Sequence, residues 1–466
     1  MNKKILVFFP DGVGLRNFAF TQFKELGEQR GNQIIYWNNT AFPLQDALGY
    51  EEVKIETHKL HPLTSYYCRI RKHIELNVAT KKFQDNVYQT YKFPFNYNGL
   101  KNTLMTLFIR LLIGLNSSEK GILRIRKRIN SLERATEKYQ YCKNQLEQIK
   151  PYLVFCTTQR ATQSISALLA AQDLGIPTLT FVYSWDNVPK AMQLVETDYY
   201  CVWSDLMQKE MLQYYPFIKE NQLFVTGTPQ FEPHYDTSLL ESRATFFEQY
   251  HLDVDKKYIC FSGDDETTSP LDQYYLEDLA NAVRSLNSKG HQLGIIYRKC
   301  PVDTTSRYDE VLNANKDIIA VIDPLWQASG KNWNEVFPTK ADLKLLHNVC
   351  AHSELVTNVC SSTVFDFVAH NKPCIYYNYE QPQLKKGIRD IGQNYKYVHF
   401  RSMPSQDAVI FCTAKNQLVD QIEAILKGEL SNVSEGKKWY QVVAGETPTQ
   451  ASEKIWDAID RIVDER

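Results

Sequence analysis

The sequence TNVCSSTVFD, residues 357–366, has the pattern of a strand that turns directly into a helix. Residues 354–359 are mostly apolar and predict a short strand, and residues 364–370 predict the first turns of a buried helix. Two serines and a threonine occupy the turn, where the first N–H groups of a helix lack internal partners and the helix dipole is positive. This position suits a phosphate group. A simpler interpretation is that Ser361 or Ser362 is an N-cap, and a helix N-terminus permits both roles.

Strands and helices alternate along most of the chain. The apolar run at residues 4–10 is followed by a turn with two glycines and then a helix, which is how a parallel α/β domain begins. The turn lacks the third glycine of a dinucleotide-binding fingerprint, so that motif is not met. A second series of strands and helices starts at Tyr258. The sequence therefore predicts two parallel α/β domains, whose ligand crevices lie at the carboxyl ends of the strands and face a shared cleft.

The length of 466 residues also favours two domains, because one hydrophobic core rarely organises so long a chain. We expect an N-terminal domain over residues 1–235, a linker over residues 236–257 and a C-terminal domain over residues 258–440. Residues 441–466 predict a C-terminal helix that packs back on the first domain. Residues 64–150 are helical in pattern, rich in tyrosine and basic, so they predict a helical insertion in the first domain.

Basic charge is concentrated at the start of the chain. The net charge is −1, yet residues 1–150 carry nearly twice as many Lys and Arg as Asp and Glu. Within residues 104–129 a strongly apolar helix precedes an amphipathic one that contains Arg124, Arg126, Lys127 and Arg128. Such a pair is typical of an interfacial anchor on an anionic membrane, but a helical hairpin packed on its own domain has the same pattern.

Neither a signal peptide nor a membrane-spanning run is evident, and the scattered cysteines form no CxxC pair. The sequence predicts a cytoplasmic protein, peripheral at the inner face of the cell membrane if the basic helices bind lipid. The histidines form no HxxxH pair with a supporting Glu. The acidic run at residues 263–266 suggests a divalent cation, although an exposed acidic loop is the more common case. We therefore predict no metal site, no cofactor and no nucleic-acid partner.

Polar residues follow several strands of the second domain directly, at the edge where open α/β sheets bind ligands. A small-residue loop, a helix N-terminus and an arginine fork can together hold a diphosphate. Asp366 lies one turn into the helix, where it either favours the helix dipole or contacts a ribose hydroxyl. The candidate donor-binding residues are Ser262, Gly263, Arg298, Ser361, Ser362, Thr363 and Asp366.

In the first domain, Asp186 comes shortly after a strand that ends at Tyr183. A carboxylate at a strand end in a cleft can act as a general base toward an acceptor hydroxyl. Alternatively, Asp186 or Asn187 caps a helix in a turn. Asp11, at the end of the first strand, is a weaker candidate for the same catalytic role.

Residues 357–380, TNVCSSTVFDFVAHNKPCIYYNYE, are similar to the Ser-Ser-x-x-Phe-Asp…Lys-Pro-x-Ile-x-Tyr segment of CDP-glycerol glycerophosphotransferases. They also resemble related nucleotide-sugar transferases of bacterial surface-polysaccharide assembly. The resemblance implies the GT-B fold, with two Rossmann-like domains that face a central cleft and the donor bound in the C-terminal one. It further implies that Ser361 and Ser362 contact the donor phosphates.

Two motifs depart from that family. Arg298 fits the family's Arg-Pro-His-Pro strand end, but the sequence here is Arg298-Lys299-Cys300-Pro301, without the histidine. SWDNVPK, residues 184–190, lies where glycerophosphotransferases carry a Trp-His-Gly-Thr-Pro-x-Lys element, and Asp186 replaces the catalytic histidine. Gly227-Thr228-Pro229-Gln230 resembles the interdomain element of the sugar transferases. The resemblance covers motifs over residues 181–380 and leaves the basic helices outside it.

These departures favour a metal-independent glycosyltransferase that moves a sugar from a nucleotide diphosphate to a hydroxyl acceptor, either a glycan or a lipid-linked glycan. Asp186 is the expected base, and the Ser361 turn with Arg298 is expected to stabilise the leaving diphosphate. Three alternatives stay open. They are a CDP-glycerol-type glycerophosphotransferase, a nucleotide-sugar 2-epimerase and a non-catalytic scaffold that kept the fold.

Overall fold

The computed structural model describes residues 3–56, 58–328, 336–385, 387 and 390–465. The chain forms two compact units. The first comprises Met1–Thr228 with Gln450–Arg466, and the second comprises Pro229–Thr449. The division after Thr228 precedes the predicted domain end at residue 235 by a few residues.

The first unit is built on a parallel sheet. Its strands are β1 (Lys3–Phe9), β2 (Asn32–Asn38), β3 (Glu52–Lys54), β4 (Leu153–Cys156), β5 (Thr178–Phe181), β6 (Tyr199–Val202) and β7 (Leu223–Val225). Their order is β3-β2-β1-β4-β5-β6-β7, and all neighbours pair in parallel. Strand order reverses between β1 and β4, which is the switch point where such sheets bind ligands.

Helices cover this sheet and fill the predicted insertion. They are α1 (Leu15–Phe18), α2 (Phe23–Gln29), α3 (Leu44–Leu48), α4 (Thr64–Phe83), α5 (Leu100–Asn116), α6 (Glu119–Arg134), α7 (Glu137–Ile149), α8 (Ile165–Asp173) and α9 (Asp205–Tyr214). Isoleucines at helical spacing on α4, α5 and α6 share one core with Phe8 and Trp37 of the sheet. The predicted basic helical insertion is thus confirmed.

Arg126 of α6 does not belong to the exposed basic surface that the sequence predicted. Its side chain is 2 % exposed and pairs with Glu75 of α4 at 2.8 Å and with Glu196 at 3.2 Å. The reason is helical periodicity, because Arg126 lies four residues after the buried Ile122 and so shares its inward face. Arg124, Lys127 and Arg128 are exposed.

The second unit contains a six-stranded parallel sheet and a short antiparallel pair. The sheet strands are β8 (Lys257–Ser262), β9 (Leu293–Arg298), β10 (Ile319–Val321), β13 (Ser353–Asn358), β14 (Cys374–Tyr377) and β15 (Ile410–Cys412), and the pair is β11 (Trp326–Ala328) with β12 (Val336–Pro338). The sheet order is β10-β9-β8-β13-β14-β15. Its strand order reverses between β8 and β13, so the switch point lies between Ser262 and the turn after Asn358.

The helices of the second unit are α10 (Arg243–Gln249), α11 (Asp272–Ser288), α12 (Asp309–Ala314), α13 (Lys340–His352), α14 (Thr363–Ala369), α15 (Gln417–Leu426) and α16 (Val433–Ala444). Helix α10 lies in the segment predicted as a linker, and Phe246 and Phe247 on it are fully buried. That segment is therefore part of the second unit's packed structure.

The last helix, α17 (Ala451–Asp464), belongs to the first unit. Trp456 stacks on Phe23 of α2 with ring centroids 4.8 Å apart, and its indole Nε1 donates to the Phe23 carbonyl at 2.7 Å. A side chain at Gly27 would collide with this indole, so a glycine permits the close approach of the two helices.

Within the described ranges no helix is both long and apolar enough to cross a membrane.

Candidate functional site

Three hydroxyl groups converge at the switch point of the second sheet. Strand β8 pairs with both β9 and β13, so the residues after these strands meet at one edge. The Ser262 Oγ lies 3.2 Å from the Thr363 Oγ1, which lies 2.9 Å from the Ser361 Oγ. The structure thus brings together side chains that are about a hundred residues apart in the sequence, at the edge where they were expected.

The turn between β13 and α14 has an unusual backbone. Cys360 has a φ of 50°, a left-handed conformation that is uncommon for a residue with a side chain. The backbone around it is held by hydrogen bonds, since the Ser361 N–H donates to the Asn358 Oδ1 at 2.9 Å and the Tyr376 hydroxyl donates to the Ser361 carbonyl at 2.6 Å. Such conformations persist where their surroundings enforce them, and they cluster at functional sites.

Ser362 is the N-cap residue of α14 by position, but its side chain makes no capping hydrogen bond. Ser361 comes closer to that role, with its Oγ 3.4 Å from the Thr363 N–H. The Ser362 side chain is exposed. Its hydroxyl therefore faces solvent at the same turn where Ser361 and Thr363 bond to each other.

Arg298 contributes to the same edge mainly through its backbone. Its carbonyl accepts the Gly263 N–H at 2.9 Å, which fixes the loop after β8. Its guanidinium turns to Asp342, whose two oxygens lie 2.8 and 2.9 Å from Nη2. Nη1 is buried and has no partner among the described residues. The Asp342 carboxylate thus holds Nη2 of the guanidinium, and Nη1 is enclosed and not exposed to solvent.

Asp366 points into a different environment. It is 5 % exposed, and its Oδ1 lies 2.7 Å from the His234 Nε2. Helix α14 begins at the hydroxyl cluster, which consists of Ser262, Ser361 and Thr363. Asp366 lies on the inner side of this helix, against a group of histidines. The structure therefore gathers Ser262, Gly263, Ser361 and Thr363, and it does not bring the Asp366 carboxylate to them.

In the acidic run after Gly263, the Asp265 carboxylate is used within its own loop. The Asp265 Oδ1 accepts the N–H groups of Thr267 and Thr268 at 2.8 and 3.2 Å. Burial, and secondarily the neighbouring Asp272 charge, raises the pKa of Asp264 well above its ordinary value. These residues organise the start of α11.

In the first unit, Asp11 lies at the switch point beside β1. Its Oδ1 accepts the Val13 N–H at 3.2 Å and caps the short 3-10 helix Gly12–Gly14. Burial raises the pKa of Asp11 to about 6, although the nearby Arg160 charge opposes the rise. A side chain at Gly14 would collide with Thr157, which follows β4, so this turn needs glycine to approach the neighbouring strand end.

Asp186 follows β5, the strand next to β4. Its Oδ1 accepts hydrogen bonds from the Ser184 hydroxyl at 2.6 Å and from the Asn187 amide at 2.9 Å. Its Oδ2 forms an ion pair with Lys190. The carboxylate remains partly exposed, at 23 %. It is thus a positioned anion with a cation beside it.

Two charged residues near Asp186 were missed by the sequence reasoning. Burial, together with the Asp186 charge, raises the pKa of Glu210 on α9 to about 8. Burial, together with the Arg71, Lys190 and Arg160 charges, lowers the pKa of Lys72 on α4 to about 8. Glu210 therefore carries a proton at neutral pH, close to an ionised neighbour.

A sequence signal was present for Arg160, whose charge acts on Asp11 and Lys72, but not for Glu210 or Lys72. Arg160 ends a polar run, Thr157 to Arg160, at the carboxyl end of a predicted strand, and the strand-end argument used elsewhere would have found it. Glu210 and Lys72 lie within helices whose sequence gives no hint of the sheet edge that they approach.

Comparison with protein families places most of the chain in one group. Residues 175–461 match the family described as CDP-Glycerol:Poly(glycerophosphate) glycerophosphotransferase. The match covers more than half of the chain, including Asp186 and every candidate donor-binding residue. No curated protein sequence matches the chain.

Solved structures show the same fold at low sequence identity. A putative UDP-N-acetylglucosamine 2-epimerase from Listeria monocytogenes is 12 % identical, with a TM-score of 0.55 over 100 % of this chain and 98 % of that one. A glycosyltransferase from Rickettsia africae is 11 % identical, with a TM-score of 0.53 over 100 % of both chains. A UDP-GlcNAc 2-epimerase from Methanocaldococcus jannaschii is 12 % identical, with a TM-score of 0.53 over 99 % of this chain and 100 % of that one. The predicted GT-B class, with two Rossmann-like sheets, is confirmed.

Proposed function

Because the chain belongs to the CDP-glycerol glycerophosphotransferase family, we propose that it transfers a group from a nucleotide diphosphate donor to a hydroxyl acceptor, and that this group is a sugar. The acceptor in this proposal is a glycan or lipid-linked glycan of the bacterial surface. The observation that carries the proposal is the side chain of Asp186. An ionised carboxylate, paired with Lys190, stands where the resemblance implies a catalytic histidine for glycerophosphate transfer.

The hydroxyl cluster of the second unit supports the donor half of the proposal. Ser262, Ser361 and Thr363 offer short, uncharged donors at the switch point, beside the first turn of α14. The exposed Ser362 hydroxyl adds a further donor at the same turn. Hydrogen-bond donors fixed before the reaction stabilise the charge that develops on a leaving diphosphate.

Asp186 supports the acceptor half. A general base must be ionised, and the Lys190 ammonium stabilises its charged form. The Ser184 and Asn187 hydrogen bonds orient Oδ1, and the partial exposure lets a substrate hydroxyl approach. Burial and the Asp186 charge raise the pKa of Glu210 to about 8, which favours its protonated form at neutral pH and leaves Asp186 as the better base. In this proposal the transfer step needs no metal, so added Mg²⁺ or Mn²⁺ leaves the rate unchanged.

Isothermal titration with UDP, GDP, CDP and dTDP tests the donor site. We expect one nucleotide to bind clearly, and we expect hydrolysis or transfer only with sugars linked to that nucleotide. If none of the four binds, the transferase proposal is overturned and a non-catalytic scaffold is favoured. Epimerisation of the sugar at C2 without an acceptor would instead identify a 2-epimerase.

Glycerophosphate transfer is the second candidate, because the family match covers residues 175–461 and is described by that reaction. Incubation with CDP-glycerol separates the two candidates. Release of CMP with incorporation of glycerophosphate would establish this reaction, whereas release of a nucleoside diphosphate with incorporation of sugar supports our proposal.

Helix α5 supports the further proposal that the protein reaches its acceptor at an anionic membrane surface. Ile109 and Ile113 face the core, and the opposite side of the helix exposes a continuous apolar stripe. The stripe consists of Leu100, Leu104, Leu107, Phe108, Leu111 and Leu115, each between 48 and 78 % exposed. Exposed basic residues on α5 and α6 accompany it, as in helices that lie in a bilayer interface.

Co-sedimentation with vesicles tests this surface. We expect the protein to bind vesicles that contain phosphatidylglycerol, and we expect Leu104→Ser with Leu111→Ser to remove most of that binding. Replacing Lys127 and Arg128 by Gln should weaken it in a salt-dependent manner. Val254→Ser, at a residue exposed to 60 % in the second unit, is the matched control. Binding that neither pair of changes affects would exclude the α5 surface.

A further inference from the structure

Three histidines from separate elements of the second unit converge on one point. His234 lies in the 3-10 segment Pro229–Tyr235, His347 lies on α13, and His370 directly follows α14. One ring nitrogen from each lies within 4.8 Å of the other two. The ring centroids of His347 and His370 are 4.7 Å apart, and those of His234 and His370 are 5.1 Å apart. We call these three residues the histidine cluster.

The outer nitrogens of two of these rings have acceptors that fix the orientation of the ring. The His234 Nε2 lies 2.7 Å from the Asp366 Oδ1, and the His347 Nδ1 lies 2.9 Å from the Pro233 carbonyl. A carboxylate and a carbonyl accept hydrogen bonds, so these nitrogens carry the protons. In neutral rings with these tautomers, the His234 Nδ1 and the His347 Nε2 have lone pairs for a ligand.

This is the arrangement that surrounds histidines bound to a metal. Such a histidine almost always donates its other N–H to a carboxylate or a backbone carbonyl, which fixes the tautomer and raises the basicity of the ligating nitrogen. Zinc binds imidazole nitrogens at about 2.0–2.1 Å, so two such nitrogens in a tetrahedral site are about 3.4 Å apart. The His234 Nδ1 and the His370 Nε2 are 3.1 Å apart, close to that separation.

We propose that His234, His347 and His370 form a binding site for a divalent transition-metal ion such as Zn²⁺, with Asp366 as the carboxylate that orients His234. The Asp366 carboxylate beside His234 also supplies negative charge that suits a cation.

The position of the cluster makes its role structural. It lies at the end of α14, whereas the hydroxyl cluster lies at the beginning of the same helix. A bound ion would join the first residues of the second unit to α13 and α14. This inference does not rest on the transferase proposal, and it assigns the ion no part in the transfer step.

A hydrogen-bond chain without metal is the competing explanation. In that chain the His370 Nε2–H donates to the His234 Nδ1, whose ring donates in turn to Asp366. This explanation accounts for the distance of 3.1 Å between His234 and His370 but gives His347 no part in the chain. The two explanations differ in metal content, visible spectrum and thermal stability.

The full chain, purified without an affinity tag that binds metal, should contain about one zinc per molecule by elemental analysis. Removing the zinc should lower the melting temperature, and adding Zn²⁺ should restore it. Co²⁺ added to the zinc-free protein should give visible d–d absorption bands with one-to-one stoichiometry. His370→Gln and His347→Gln should each abolish the cobalt bands, while His291→Gln, outside the cluster, should keep them. Asp366→Asn should retain the stoichiometry and weaken affinity by roughly 10- to 100-fold.

The wild-type protein alone can overturn the proposal, so the test does not depend on the variants folding. No zinc after purification, no cobalt bands and no change in melting temperature on adding Zn²⁺ would establish the hydrogen-bond chain instead. Cobalt bands that persist in both His370→Gln and His347→Gln would place the metal elsewhere. Nucleotide binding is measured separately, so failure of the donor site and failure of the metal site are distinguishable.

Discussion

The carboxyl edges of the two sheets present opposite kinds of polar group. The edge of the first sheet is charged, with Asp11 and Asp186 accompanied by Lys190. The edge of the second sheet offers hydroxyls and backbone N–H groups from Ser262, Ser361 and Thr363. The two sheets share one topological feature, since the strand order reverses beside β1 in the first sheet and beside β8 in the second. The topology therefore places these polar groups at the two switch points, and the side chains decide what each edge can do.

The difference matters because the two kinds of group act by different means. Uncharged donors hold a phosphate without a large desolvation cost and without titrating near neutral pH. Charged side chains in partial burial have shifted pKa values, and such shifts are what proton transfer requires. In our proposal the second edge holds the donor and the first edge activates the acceptor.

The largest effect is expected from the charged edge. Asp186→Asn keeps the size of the side chain and removes the base, so transfer should fall by roughly 10²- to 10⁴-fold. The affinity for the nucleotide should not change, because the donor residues belong to the second unit. Initial rates with saturating donor and titration calorimetry on the same preparation measure the two quantities.

Asp205→Asn, an exposed carboxylate at the start of α9, is the matched control and should keep normal rates. Full turnover by Asp186→Asn would show that another group is the base. Glu210→Gln would then be informative, because the raised pKa of Glu210 predicts activity that increases as this group ionises near pH 8.

The uncharged edge should give a smaller effect on binding. Ser361→Ala combined with Ser362→Ala removes two hydroxyls at the start of α14. A hydrogen bond to a charged group contributes about 1.5–3 kcal/mol, so the loss of one phosphate contact at this turn should lower nucleotide affinity by roughly 10- to 100-fold. Titration calorimetry measures this loss, and Ser288→Ala on α11 is the control at an exposed serine. Unchanged affinity in the double variant would show that the donor phosphates do not bind at this turn.

The location of many polar residues at the sheet edges was predictable from the sequence, because strand ends are visible as apolar runs followed by polar residues. The strand-end argument found Ser262 and Thr363, which the sheet brings to 3.2 Å. It missed strands β3 and β15, which have three residues each and lie at the outer edges of their sheets. Strand β3 carries little hydrophobic pattern, since Val53 is its one apolar residue between two charged ones.

Side-chain direction was not predictable, because it depends on partners that are distant in the sequence. The sequence suggested that the Arg298 guanidinium was open to a diphosphate, yet this group pairs with Asp342. Asp366 looked like a neighbour of the donor site, yet it bonds to His234, which lies 132 residues earlier. The histidine cluster could not be found by motif spacing, since its members come from three separate elements.

The smallest predicted effect concerns the stability of the charged edge. The pKa of Asp11 is about 6 in the folded protein and near 3.8 when exposed, so the folded state binds its proton more tightly. Between these values the folded state holds more protons than the unfolded state, and stability falls as the pH rises. From pH 5 to pH 7 the contribution of Asp11 to the free energy of unfolding should fall by about 1 kcal/mol.

Asp11→Asn removes this titration and keeps an oxygen that can accept the Val13 N–H. Urea unfolding at pH 5, 6 and 7 should therefore show that the variant gains stability relative to the wild type as the pH rises. Asp46→Asn, an exposed carboxylate in the first turn of α3, should show no such trend. Parallel pH profiles for wild type and Asp11→Asn would mean that Arg160 offsets the burial of Asp11 in full, and the two sheet edges would then differ in charge but not in proton affinity.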